Sequence, residues 1–161
     1  MLSIRLTEEK DLEELKRIYA YARSYMKSTN NPNQWRDDKP GIDEVLFDIR
    51  RRVNYVMEDD GRICATFSAI PGRDPTYAEI DGDWLNDDPY VTIHKIASDG
   101  SVRGVLETAI HFCQSVANNI RIDTHEENAV MRHLLQKNGF AYCGIIKLLN
   151  GEPRLAFQKV F

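Results

Sequence analysis

The chain has 161 residues, 29% of them charged and 42% apolar, which excludes a disordered or fibrous polymer and predicts a globular fold with a core of its own. Twenty-one basic against twenty-five acidic side chains leave a net charge of -4, which argues against nucleic acid or an anionic membrane as the main partner. The three cysteines form no C-x-x-C pair, and neither a signal peptide nor a membrane-spanning apolar run is present, so the expectation is a single cytoplasmic domain over residues 1–161.

Residues 4–6 read as a short strand, with Thr7 as the N-cap ahead of Glu8 and Glu9. The helix behind it repeats Leu12, Leu15, Ile18, Tyr19, Ala22 and Met26 every three or four positions, a stripe meant for a sheet. "KSTNNPNQWRDDKPG" breaks that helix, and residues 42–52 predict a second one with Val45, Leu46 and Ile49 inward. Its basic end, "IRRR", reads as a solvated face. Residues 53–70 are two strands around Asp60-Gly61, a dipeptide suited to the positive φ angles of a tight hairpin. "PGRDPTYAEIDGDWLNDDP" is a turn-rich connection whose Tyr77 and Trp84 line either a pocket or a minor core. Residues 90–97 form a fourth strand, 102–118 a third long helix, 120–124 a fifth strand, and 127–138 a last helix ended by Gly139. Strands at 140–146 and 154–161 close the chain around Asn150-Gly151.

Chemistry concentrates in "IHKIASDGSVRGVLETAIHFC", residues 93–113. A strand that feeds a short turn and then a helix gathers unpaired N–H groups and the positive end of the helix dipole, a site suited to a diphosphate. Gly104 removes a side chain where such a ligand approaches, and Arg103 adds charge, whereas Asp99 repels an anion unless it points away. By itself the pattern does not distinguish a phosphate cradle from an ordinary strand–turn–helix unit.

This stretch, "DTHEENAVMRHLLQKNGF" after it and the order of elements over essentially the whole chain resemble the GCN5-related N-acetyltransferase (GNAT) superfamily. In that family the phosphate loop reads Q/R-x-x-G-x-G/A and a later stretch reads N-x-x-A-x-x-L-Y-x-x-x-G-F. Gly104 matches the first loop glycine; Ser101 stands where Gln or Arg is usual, and Leu106 where Gly or Ala is. Asn128, Leu134, Gly139 and Phe140 match the later stretch, while Met131 replaces its alanine and Leu135 its tyrosine. "NQW", "YAEIDGDWL" and "PYVTIHKIA" are similar to segments of a bacterial subgroup whose acceptors are poorly defined.

The resemblance implies an α/β GNAT fold, with a mixed, mostly antiparallel sheet of about seven strands, four helices and a splay between the fourth and fifth strands. It implies an acetyl-CoA-dependent N-acetyltransferase acting on a small or peptide amine, and it is compatible with a homodimer. Residues Ile96, Ala97 and Ser98 would hold the pantetheine; Ser101, Val102, Arg103, Gly104, Val105 and Leu106 the diphosphate. Asn128 either bonds the pantetheine or caps the last helix. Leu135 cannot supply the hydroxyl that protonates the departing thiolate, which leaves Tyr142 or Tyr90 for that role. His94, Glu79 and Asp81 are the candidate bases, His94 sharing a strand face with Tyr90; a histidine merely tied to a carboxylate is the alternative. Trp35, Tyr77 and Trp84 are the candidate acceptor walls. His125 and His133 are not spaced as metal ligands on a helix, and no metal is expected. Loss of catalysis would leave an acyl-CoA-binding module, and loss of both a structural domain.

Overall fold

The structure is a computed structural model that describes residues 2–161. Strand β1 (Leu2–Leu6) leads into a short 3-10 turn and then α1 (Leu12–Ser28), followed by α2 (Ile42–Arg50). Then come β2 (Asn54–Asp59), β3 (Arg62–Pro71), β4 (Asp81–Gly82) and β5 (Val91–Ser98). The chain continues through α3 (Val105–Gln114), β6 (Asn119–Thr124), α4 (Ala129–Lys137), β7 (Ala141–Lys147) and β8 (Pro153–Val160). The strands form one sheet in the order β1-β2-β3-β5-β6-β8-β7-β4, antiparallel except where β5 meets β6.

Alternation along the strands divides the side chains between two faces. Ile93, Ile120 and Ile122 point into the larger core, where Leu106, Ile110 and Cys113 of α3 and Leu135 of α4 cover them. On the opposite face Leu15, Ile18 and Tyr19 of α1 and Val45 and Ile49 of α2 bury Val56, Ile63 and Ala97. The far half of that face is covered by the connection after β3, through Tyr77, Tyr90 and Trp84 against Ile146 and Ala156. Each large apolar side chain so buried contributes about 1.5–3 kcal/mol.

The eighth strand, β4, is the element beyond the seven expected. It is two residues long, too short for any periodicity, and it exists because two backbones meet at glycines. A Cβ on Gly82 would lie 2.1 Å from the Cys143 carbonyl, and one on Gly144 2.2 Å from that of Asp81. The Asp60-Gly61 hairpin forms with both residues at positive φ. Gly139 ends α4 in the left-handed region, its N–H reaching the Gln136 carbonyl and that of Phe140 the Leu135 carbonyl, so two orphan carbonyls are satisfied.

Three expected boundaries move for local reasons. Thr7 does not cap α1: it is buried, and its hydroxyl donates to Asn54 Oδ1 at 2.6 Å, while the turn is closed by Asp11 accepting from the Glu8 N–H. Helix α3 begins at Val105 rather than 102, since Gly104 sits at φ 76 where no helix continues. It ends at Gln114. Helix α4 starts at Ala129, two residues late, behind an Asn128 cap.

Candidate active site

Strands β5 and β6 are neighbours in register at only two pairs, Val91 with Ile120 and Thr92 with Arg121. Beyond these pairs they part, and β5 keeps hydrogen-bonding partners only toward β3. Ser68 faces His94 while Thr66 faces Ala97, so β5 carries one residue more than β3 between these pairs. This is a β-bulge, and Lys95 within it adopts φ 55, a left-handed backbone that a lysine takes only when its surroundings impose it. They do so at two points. The Tyr19 hydroxyl donates to the Lys95 carbonyl at 3.1 Å, and Lys95 Nζ lies 2.9 Å from Asp48 Oδ2.

Asp48 is the centre of a buried polar network that the sequence reading missed. It accepts from Lys95, from Ser68 Oγ at 2.7 Å and from Arg51 at 2.9 Å; Ser68 in turn accepts from Asn54. Burial would raise the Asp48 carboxyl, but the hydrogen bonds from Lys95 and Ser68 outweigh it and hold it below its ordinary range.

A cavity of about 630 Å³ opens where the strands part. His94 and Ile96 line it from β5, Ile122 and Asp123 from β6, Asn128 and Met131 from around α4, and Trp35 from the loop between α1 and α2. That loop is tied across the opening: Asn33 donates to Glu127 at 2.8 Å, and Arg36 to Glu152 at 2.8 Å. Gln34 Oε1 accepts from Asn128 at 2.9 Å and Thr124 at 3.2 Å.

His94 Nε2 lies 2.9 Å from Asp74 Oδ2. Asp74 Oδ1 accepts from the Thr76 N–H and hydroxyl. Burial opposes the charge on Asp74, yet the His94 and Thr76 hydrogen bonds prevail and hold its carboxyl at about 2. Asp74 is therefore anionic at any neutral pH. With the Nε2 proton directed at Asp74, Nδ1 of His94 keeps its lone pair. Asp123 Oδ2 accepts from the Tyr77 hydroxyl at 2.6 Å, and the Tyr77 ring centroid is 6.3 Å from that of His94. Burial and the adjacent Asp123 charge push the Tyr77 phenol well above its ordinary value, so it stays a donor.

The other expected site residues fall in several places. Tyr77 and Trp84 do not line the cavity; they belong to the minor core, where Trp84 and Tyr90 sandwich the Arg121 guanidinium at 4.0 and 4.1 Å from their ring centroids. The Tyr90 hydroxyl accepts the Asp74 N–H at 2.8 Å and is buried beside the cavity rather than open to it. Glu79 and Asp81 are exposed outside the lining. Tyr142, 57% exposed, lines a separate groove beyond α4 with His133 and Phe157. Asn128 acts as the helix cap: Oδ1 accepts from the Met131 N–H at 3.0 Å, and its amide is spent on Gln34.

In the turn before α3, Asp99 points away from the helix end. It is paired with Arg17 and Arg62 at 3.1 Å each and accepts from the Ser101 N–H. The intrahelical ladder of α3 starts with the Thr108 N–H on the Gly104 carbonyl, so those of Val105, Leu106 and Glu107 have no carbonyl behind them. The Leu106 side chain is 5% exposed and faces the core, leaving its N–H side clear. Ser98 Oγ accepts from the Gly100 N–H, Ala97 packs beneath α1, and Val102 lies against the larger core. Arg103 and Ser101 are exposed. Among the described residues no three His, Cys, Asp or Glu side chains gather as metal ligands.

An acetyltransferase of the GNAT family from Streptococcus agalactiae is 30% identical, covering 99% of this chain and 95% of its own, with a TM-score of 0.88. The chain belongs to the GNAT acetyltransferase family. A second GNAT acetyltransferase, from Listeria monocytogenes, is 17% identical over 99% of this chain and 95% of its own, with a TM-score of 0.72, a likeness of fold. No protein-family model and no curated protein matches the chain. Within the GNAT fold the parted pair is β5 and β6, and the helix that follows the first of them is α3.

Asp74, Asp123, Gln34, Lys95 and Asp48 went unseen in the sequence. For Asp123 a signal existed: it closes a parallel strand at its C-terminal end, where ligands collect in α/β sheets. For Asp74, twenty residues from His94 and read as a turn residue before a proline, there was none.

Proposed function

We propose that this chain is an acetyl-CoA-dependent N-acetyltransferase in which an amine, small or peptide-borne, attacks the thioester directly. The observation that carries the reading is the parting of β5 from β6 after two residue pairs, with a carboxylate-bound histidine at the mouth of the gap. The residues present fit the cosubstrate. The unpartnered edge of β5 at Ile96, Ala97 and Ser98 suits the amides of a pantetheine arm, and the bare N–H groups at the start of α3 suit its diphosphate. Acetyl-CoA would supply an activated acetyl group as a thioester.

Each side chain then has a definable part. At the bulge Lys95 and Ile96 have no register partner on β3, which suits backbone N–H groups there to stabilising negative charge that develops on a carbonyl oxygen. Asp74 orients His94 through Nε2, which leaves Nδ1 to take a proton from the acceptor's ammonium. Cys113 is not a nucleophile, since burial pushes its thiol up to about 12.

A binding module without catalysis is favoured by one observation. Leu135 is fully buried where the family's tyrosine stands, and neither Tyr90 nor Tyr142 opens into the cavity. A thiolate with an ordinary pKa of about 8.5 leaves without a dedicated acid, which keeps the enzyme reading ahead.

Thermal shift with coenzyme A, acetyl-CoA, ATP and NAD tests the site, because a ligand at a hundred times its Kd adds about 2.7 kcal/mol. Stabilisation by the coenzyme A species alone, with thiol release when amines are added, is the expected result. Tight binding without thiol release from any amine would favour the module, and no stabilisation would overturn both readings. Gly104→Val places a β-branched residue at φ 76 with its Cβ 3.1 Å from the Glu107 carboxylate. The left-handed backbone costs about 1–2 kcal/mol, which the free turn escapes by leaving the geometry that presents its N–H groups; restoring that geometry on binding lowers acetyl-CoA affinity about tenfold by calorimetry.

A further inference from the structure

We propose that Asp123 is the seat of the acceptor's ammonium group, and that the acceptor is a small cationic amine with no carboxylate beside its nitrogen. This rests on the acetyltransferase reading and narrows it to a substrate class.

The charges around the cavity make the case. Arg36 is paired with Glu152 at 2.8 Å, and Arg154 donates to the Gln34 carbonyl at 3.2 Å and lies 3.4 Å from Glu152. Lys39 is paired with Glu44 at 2.7 Å and Lys95 with Asp48 at 2.9 Å. The cations of the lining are thus already engaged. Asp123 is different: its one partner is the Tyr77 hydroxyl on Oδ2, and no cation lies within ion-pairing distance of it among the described residues. Asp38 at the exposed rim adds charge of the same sign. This half-buried carboxylate lines the cavity with a single neutral donor on one oxygen, and an ammonium in the cavity would form a charge-assisted hydrogen bond with the other.

Its position suits the chemistry. Continuing the register of Val91 with Ile120 and Thr92 with Arg121, Asp123 is the counterpart of His94 on the same face, across the gap. Tyr77 spans the two, with its hydroxyl on Asp123 and its ring beside His94. Tyr77 locks Oδ2 and leaves Oδ1 for the acceptor. An ammonium docked there hands one N–H proton to His94 Nδ1, and the nitrogen lone pair so freed forms the new bond to the acetyl carbon as the carbon–sulfur bond breaks; the sulfur leaves as a thiolate and takes the second N–H proton, which gives the amide and the free thiol. An α-amino acid would bring its carboxylate against both Asp123 and Asp74 with no unengaged cation to receive it, which disfavours that class.

The test compares the protein with Asp123→Asn and Tyr77→Phe, using putrescine and free glycine as probes and thiol release from acetyl-CoA as the readout. The expected result is turnover of putrescine over glycine, a rise of tenfold or more in putrescine KM in Asp123→Asn, a smaller rise in Tyr77→Phe, and an unchanged acetyl-CoA KM in both. An unmoved putrescine KM in Asp123→Asn, or a preference for glycine, would overturn the assignment while leaving the acetyltransferase reading intact. If acetyl-CoA binds but no amine releases thiol, catalysis fails, and calorimetric titration of putrescine into coenzyme A-loaded protein decides the seat. Binding that Asp123→Asn abolishes supports it; absence of binding to the unaltered protein overturns it.

Discussion

His94→Ala lowers kcat/KM for an amine acceptor by about 10²–10⁴ and leaves acetyl-CoA affinity unchanged, the loss expected when a positioned base is removed. The cofactor edge of β5 is backbone and survives the truncation, so the two quantities separate. Asp74→Asn is the sharper variant, because it keeps the shape and removes the charge. Asp74 holds its carboxyl at about 2, below its ordinary 3.8, so the ion is fully present above pH 4. Its own contribution to stability is lost only as pH falls from about 4 through 2, outside any assay range. At neutral pH that contribution is present in full, so the variant loses it along with the charge facing His94, and Tm is measured beside kcat/KM. Losing a charged hydrogen bond worth about 1.5–3 kcal/mol lowers kcat/KM some ten- to a hundredfold. Activity of Asp74→Asn near that of the parent would remove His94 and Asp74 from the mechanism.

The second large effect is on stability and reaches the site from beneath. Asp48→Ala strips the acceptor from Lys95, Ser68 and Arg51 at a position whose side chain is 2% exposed. Removing one partner of a buried ion pair costs about 3–5 kcal/mol. For a chain of this size that lowers Tm by roughly 10 °C. The sign with pH follows from the lowered Asp48 carboxyl: its stabilisation is complete above the ordinary 3.8 and is lost as pH falls through its folded value. Acid melting curves of parent and variant therefore converge at low pH. Since Lys95 holds φ 55 through this contact and the Tyr19 bond, the bulge relaxes in the variant and acetyl transfer falls with it.

What the sequence disclosed was local. The α1 stripe, the Asp60-Gly61 hairpin and the Gly139 cap are periodicities or single-residue backbone preferences, legible within a few positions. The strap carrying Trp35 and the strand carrying His94 and Ile96 were also placed at the cavity that the structure has. The partners of those residues were not legible, because Asp74–His94, Tyr77–Asp123 and Asp48–Lys95 join elements 20 to 47 positions apart. The aromatics misled for a related reason. A large ring in a loop has the same sequence signature whether it walls a ligand or clamps an arginine, and Trp84 and Tyr90 clamp Arg121. Lys95 gave no warning at all, since a lysine carries no preference for the left-handed region.

The most direct measurement is a crystal structure of the protein grown with coenzyme A. The pantetheine chain should lie along Ile96 to Ser98 in the opening between β5 and β6, its sulfur near His94 and its diphosphate on the N–H groups of residues 102–106. Coenzyme A bound elsewhere, or an empty opening at millimolar ligand, would contradict the account.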